Sequence, residues 1–134
     1  MYQRIMLIDD DADDRELFVS ALQKIPGHPD HDTAVHGLDG LTKLSTSDTR
    51  PGIIFLDLNM PMMNGIEFLK EIKNKPALRD IPVVVFTTTA NPGTIEEVRG
   101  LGAYKFFTKP IRFEHLGRLL HLLLEDSVSD FVVR

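Results

Sequence analysis

The segment IPVVVFT, residues 81–87, constrains the fold more than any other stretch of this chain. Its β-branched and aromatic residues run without polar alternation, the pattern of a strand covered on both faces. Pro82 fits only at the start of such a strand, because it cannot donate to the ladder. A strand of this kind needs a layer above it and a layer below it, and the rest of the chain supplies both. RIMLI (4–8), a weaker run near Thr33–His36, GIIFLD (52–57) and AYKFFT (103–108) read as further strands. Helical periodicities lie between and after them. Leu17, Phe18, Ala21, Leu22 and Ile25 form the first, stopped by Pro26-Gly27, and Leu38–Leu44 a short second. Ile66, Leu69 and Ile72 mark the third. Asn91-Pro92-Gly93 opens a fourth, with Ile95, Val98 and Leu101, and a Leu-rich fifth runs from about Arg112 to Leu124. Five β–α units in series predict an α/β fold with a parallel sheet, helices on both faces and right-handed crossovers.

The 134 residues suffice for one domain, expected over 1–125, and a C-terminal tail, 126–134, that the periodicity leaves either frayed or docked. With a net charge of −5 and no Lys/Arg cluster, nucleic acid is not an expected partner. The absence of cysteine excludes disulfides and thiolate metal sites. MYQRIMLIDDD lacks the apolar stretch of a signal peptide, and no segment reaches membrane-span length. The expectation is a cytoplasmic protein without a membrane partner.

In a doubly wound sheet, ligands bind at the carboxyl ends of the strands. The first strand ends in Asp9-Asp10 and the third in Asp57, before the loop LNMPMMNG; the fourth ends in Thr87 and the fifth in Lys109-Pro110. Three carboxylates gathered in one crevice repel each other unless a cation joins them. Mg²⁺ is the natural choice, since it takes oxygen ligands and readily shares a phosphate. Lys109 and Thr87 would then contact phosphoryl oxygens, and Asp57 would be the nucleophile that forms an acyl phosphate.

The set IDD, FLDLNMP..NG, VVVFT and FFTKP, in this order, resembles the receiver domain of bacterial two-component response regulators, of which chemotaxis regulators are the simplest members. The resemblance covers the chain to about Leu124. It implies a flavodoxin-like sheet of five strands in the order 2-1-3-4-5. It implies Asp57 as phosphoacceptor, Asp10, Asp57 and the backbone carbonyl of Asn59 as Mg²⁺ ligands, and Asp9 as a ligand through water. Thr87 matches the switch hydroxyl, Phe106 the switch aromatic and Lys109 the family's lysine, with a cis Lys109–Pro110 bond. The implied partner is a sensor histidine kinase, and the phrasing of VVVFTTT and LRDIPVVVF is similar to small regulators paired with phytochrome-like kinases. The implied role is that of a stand-alone regulator, not an enzyme beyond its own phosphorylation and dephosphorylation. The alternative is a phosphorelay carrier serving a histidine phosphotransfer protein.

Other readings compete at single residues. Asp11, Asp13 and Asp14 read as helix-cap and first-turn acids. His28 and His31 lack a third ligand at suitable spacing. An Asp-nucleophile phosphohydrolase of the haloacid-dehalogenase type would need a second acid where Asn59 stands. On the last helix, Phe113, Leu116, Leu120, Leu123 and Leu124 form the core stripe. Leu119 and Leu122 fall outside it, as a candidate homodimer contact on the face formed by helix four, strand five and helix five.

Overall fold

The computed structural model describes residues 2–133. Strands β1 (Arg4–Ile8), β2 (Asp30–Ala34), β3 (Ile53–Leu56), β4 (Val83–Thr87) and β5 (Lys105–Thr108) alternate with helices α1 (Ala12–Gln23), α2 (Gly37–Thr46), α3 (Gly65–Lys73), α4 (Pro92–Gly100) and α5 (Phe113–Leu124). A sixth strand, β6 (Val132–Val133), follows α5, and the sheet order is β2-β1-β3-β4-β5-β6 with every pair parallel. The five-strand order expected from the resemblance is present, extended by one short strand.

The central strands are buried as their composition requires: every residue of β3 and β4 is buried. One face of the sheet packs under α2, α3 and α4, with Ile54, Leu56, Val83, Val85 and Phe68 at its centre. The other lies under α1 and α5, where Phe18 meets Phe55 and Phe86 edge-on at centroid distances of 5.0 and 5.6 Å. Side-chain oxygens cap three helix starts by accepting backbone N–H groups that have no helical partner. Asp11 accepts from Asp14 N (3.0 Å), Asn91 from Thr94 N (2.8 Å), and Asn64 from Glu67 N (2.9 Å), with Glu67 closing a capping box.

One element differs from the sequence reading, and a second, the tail, takes one of the two arrangements left open. Strand β2 lies three residues earlier than the apolar pattern placed it, because it is an edge strand in which only Ala34 is buried. Its register is held by charge: Arg4 on β1 contacts Asp32 at 3.1 Å and Asp30 at 3.7 Å. The tail is docked. After Asp126 reverses the chain at a positive φ of 55°, residues 131–133 return along the open edge of β5, and Phe106 N–H donates to Phe131 O at 2.8 Å. The Lys105 ammonium donates to Asp130 O at 2.8 Å, and Arg99 of α4 lies 4.4 Å from the Phe131 ring centroid. Val133 is buried.

Candidate functional site

The acidic residues reach one crevice because each strand's ladder runs one residue beyond its assigned end. Asp9 N–H donates to Ala34 O (3.1 Å), Asp57 N–H to Ile8 O (2.9 Å), and Lys109 N–H to Thr87 O (2.9 Å). These bonds fix the three residues at the carboxyl edge of the sheet, and their side chains converge there. Oxygens of Asp9, Asp10 and Asp57 lie within 4.8 Å of one another. Lys109 Nζ donates to Asp9 Oδ2 (2.7 Å), Asp14 Oδ2 (2.8 Å) and Asp57 Oδ2 (3.1 Å). Asp57 Oδ1 accepts from Leu58 N–H at 2.7 Å, and Asp9 Oδ1 from Asp11 N–H at 3.0 Å. Asp9 and Asp57 are buried; Asp10 is exposed.

Burial dominates the electrostatics of Asp9 and pushes its carboxyl up to about 6, aided by the Asp57 charge and opposed by Lys109 and the Asp11 amide. Burial acts against the charge of Lys109 too, but the carboxylates of Asp14, Asp9 and Asp57 more than offset it and hold the ammonium well above the ordinary lysine range. A carboxyl whose folded pKa exceeds its unfolded 3.8 binds its proton more tightly in the native state. Its contribution to stability is therefore present at low pH and is lost as pH rises through about 6. Metal-free protein should gain on the order of 2 kcal/mol from this group between pH 7 and pH 4. Comparison of urea unfolding with Asp9→Asn across that range checks it: the difference between the two proteins must change with pH, and a constant difference refutes the assignment.

The donor set fits a hard divalent cation. Three carboxylates, one of them solvent-facing, offer oxygen ligands at close quarters and leave other coordination positions to water or a phosphate. The lysine offsets only part of their charge.

The sheet does not bring every expected residue into contact. Thr87 is fully buried at the end of β4, and its hydroxyl is 3.5 Å from Thr89 N rather than on Asp57. Asn59 donates from Nδ2 to Thr89 Oγ1 at 3.0 Å, bridging the β3–α3 and β4–α4 loops beside a cavity of about 310 Å³ lined in part by Met60, Asn64 and Thr94. The Phe106 ring is fully buried, in the cluster against which Phe131 and Val132 of the tail also pack. The Lys109–Pro110 bond is trans, contrary to expectation, since the described residues contain no cis peptide. The lysine reaches its three carboxylates without one. Leu119 is buried, also contrary to expectation, because the returning tail covers it; Leu122 is half-buried.

Sequence reasoning missed two contacts of the site. Asp14 was read only as a first-turn acid, yet it lies at i, i+4 from the buried Phe18 and so begins the inward stripe of α1. That spacing was available to find it. Arg15 Nη1, donating to Asp9 O at 2.7 Å, gave no such signal.

A parallel sheet that presents a buried carboxylate, two further acids and a lysine at its carboxyl edge defines a phospho-accepting switch domain. Residues 5–121 match the response regulator receiver domain, and the chain belongs to that family. Protein PilG of Pseudomonas aeruginosa is 33% identical over 115 residues, covering 84% of this chain and 81% of PilG. A protein-glutamate methylesterase/protein-glutamine glutaminase of Treponema denticola is 39% identical over 109 residues, but the chain spans only 28% of that protein's length. Among solved structures, the phosphorylated cyanobacterial phytochrome response regulator RcpA superposes with a TM-score of 0.85 at 28% identity, covering 96% of this chain and 98% of RcpA. The Mn²⁺-bound response regulator Rcp1 gives 0.83 at 28% identity, with 95% and 97% covered. Among the described residues, no helix is long and apolar enough to cross a membrane.

Proposed function

We infer that Asp57 takes a phosphoryl group from a phosphohistidine of a sensor histidine kinase, and that the acyl phosphate so formed switches a protein-binding face. The observation that carries this reading is the buried Asp57 carboxylate 3.1 Å from Lys109 Nζ, grouped with Asp9 and Asp10. One Asp57 oxygen attacks phosphorus, the O–P bond forms and the P–N bond breaks, and the imidazole nitrogen leaves with the electron pair. Lys109 is placed to donate to a phosphoryl oxygen and offset its charge. Mg²⁺ would be held by Asp10, Asp57 and the carbonyl of Asn59, with Asp9 through water, and would neutralise the oxygens of the transferred group. A phytochrome-type kinase is the proposed donor, by likeness to RcpA.

A phosphoryl oxygen would accept the Thr87 O–H, whose oxygen accepts the Thr89 N–H here. Drawing Thr87 towards Asp57 would change the space around Phe106, whose backbone carries the tail through Phe131. The output surface is then the one made by α4, β5 and α5 as β6 covers it. A homodimer through this face would be built on β6 and the half-buried Leu122, with Leu119 beneath.

Intact-mass measurement after incubation with Mg²⁺ and acetyl phosphate tests the reading. One added phosphoryl group is expected on the wild type, and none on Asp57→Asn or on a chelated sample. Beryllofluoride binding, read by ¹⁹F NMR, covers the case of rapid hydrolysis. A wild type that neither gains the mass nor binds beryllofluoride refutes the proposal.

A further inference from the structure

Lys109 is held by one more carboxylate than phosphoryl transfer uses. An ammonium has three N–H donors, and Asp9, Asp14 and Asp57 take all three. The N–H on Asp57 Oδ2 can pass to a phosphoryl oxygen, but that oxygen lies farther out, so the ammonium must shift and stretch its bonds to Asp9 and Asp14. Asp9 is fully buried, where breaking an ion pair costs more than it does at the rim. Asp57 is the group being modified. Asp14 stands at the rim, its side chain 36% exposed, outside the three-carboxylate group, and water can solvate it at once when the ammonium leaves. Nor is its carboxylate occupied as a helix cap: only its backbone N–H serves there, donating to Asp11.

We propose that Asp14 is a positioning residue, which holds Lys109 on the α1 side of the site and competes with the phosphoryl group for its ammonium. This rests on the phosphoacceptor reading of Asp57. Asp14 thereby weakens the phosphorylated state and limits how long it persists. Asp13, its exposed neighbour in the same helical turn, has the same charge, while the lysine's ion pairs are with Asp9, Asp14 and Asp57.

The test is beryllofluoride affinity at saturating Mg²⁺, measured by ¹⁹F NMR on the whole chain, with circular dichroism to establish that each variant is folded. Asp14→Asn should bind about three- to tenfold more tightly than wild type, the range of a partly exposed charge-assisted contact. Asp14→Glu, which restores the charge, should return to within about twofold of wild type, and Asp13→Asn should stay within the same margin. Unchanged or weaker binding by Asp14→Asn overturns the proposal. So does equal tightening by Asp13→Asn, which would make the effect one of general surface charge. A folded wild type that binds no beryllofluoride, or Asp57→Ala that binds it as well as wild type, defeats the phosphoacceptor reading and this inference with it. A wild type that binds while Asp14→Asn matches it defeats the inference alone.

Discussion

Gly65→Ala should lower the stability of this domain by about 2–3 kcal/mol and, with it, the yield of phosphorylated protein. Gly65 opens α3, and its N–H donates to Leu58 O at 3.0 Å, closing the loop that follows Asp57. A Cβ at this position would stand 2.3 Å from the backbone oxygen of Asp57 and 2.7 Å from Leu58 Cα. These are backbone atoms and cannot rotate away as the end of a long side chain can. Relief requires the helix start to retreat or the Asp57–Leu58 segment to move, and Leu58 N–H is one of the groups that hold the Asp57 carboxylate. A displacement of about 1 Å at a reacting group is enough to cost roughly a hundredfold in rate. Chemical unfolding and acetyl phosphate labelling should both show the loss. Gly100→Ala is the control: nothing lies within 4 Å of its added Cβ, and the helix should gain up to about 1 kcal/mol. If the two variants are equally stable, the close packing at Gly65 is not what holds the loop.

Removal of residues 127–134 should cost about 2–3 kcal/mol, a fall of roughly 10 °C in melting temperature for a chain of this size. The tail buries Val133, covers Leu119 and the edge of β5, and lays Phe131 against Arg99. Burial of one aliphatic side chain stabilises by roughly 1.5–3 kcal/mol, and the half-buried Phe131 and Val132 add to this. The entropy of ordering the tail offsets part of the sum. The local consequence is sharper than the global one. Phe106 N–H loses its acceptor, Phe131 O, and should exchange with solvent at least about a hundredfold faster in the truncated protein. Lys105, whose ammonium loses Asp130 O, would remain as the charge guarding an open strand edge. A truncated protein with unchanged Phe106 exchange would mean that β6 contributes nothing to that edge in solution.

These two variants also separate what could be read from the residues from what could not. The parallel sheet was legible in Val83–Val85 and Ile53–Leu56, because continuous apolar runs have no stable place except between two layers. The crevice was legible for the same reason. Strand ends fall where apolar runs stop, and here they stop at Asp9, Asp57, Thr87 and Lys109. The starts of α1 and α4 were legible in the acids after β1 and in Asn91-Pro92, since capping is a local interaction.

Contacts between residues distant in the chain were decided only by tertiary structure. Strand β2 shows no apolar pattern, because an edge strand held by Arg4, Asp30 and Asp32 buries little. The tail's two valines are too short a run to announce a strand; they become one because β5 leaves an unpaired edge and α5 ends beside it. That docking buries Leu119, which helical periodicity alone had placed outside the core stripe. The trans bond before Pro110 and the full burial of Phe106 depend likewise on what surrounds them. Local physics determined which residues stand at the strand ends. Only the packed fold, by bringing Lys109 across 95 residues to Asp14 of α1, decided which acids share its ammonium.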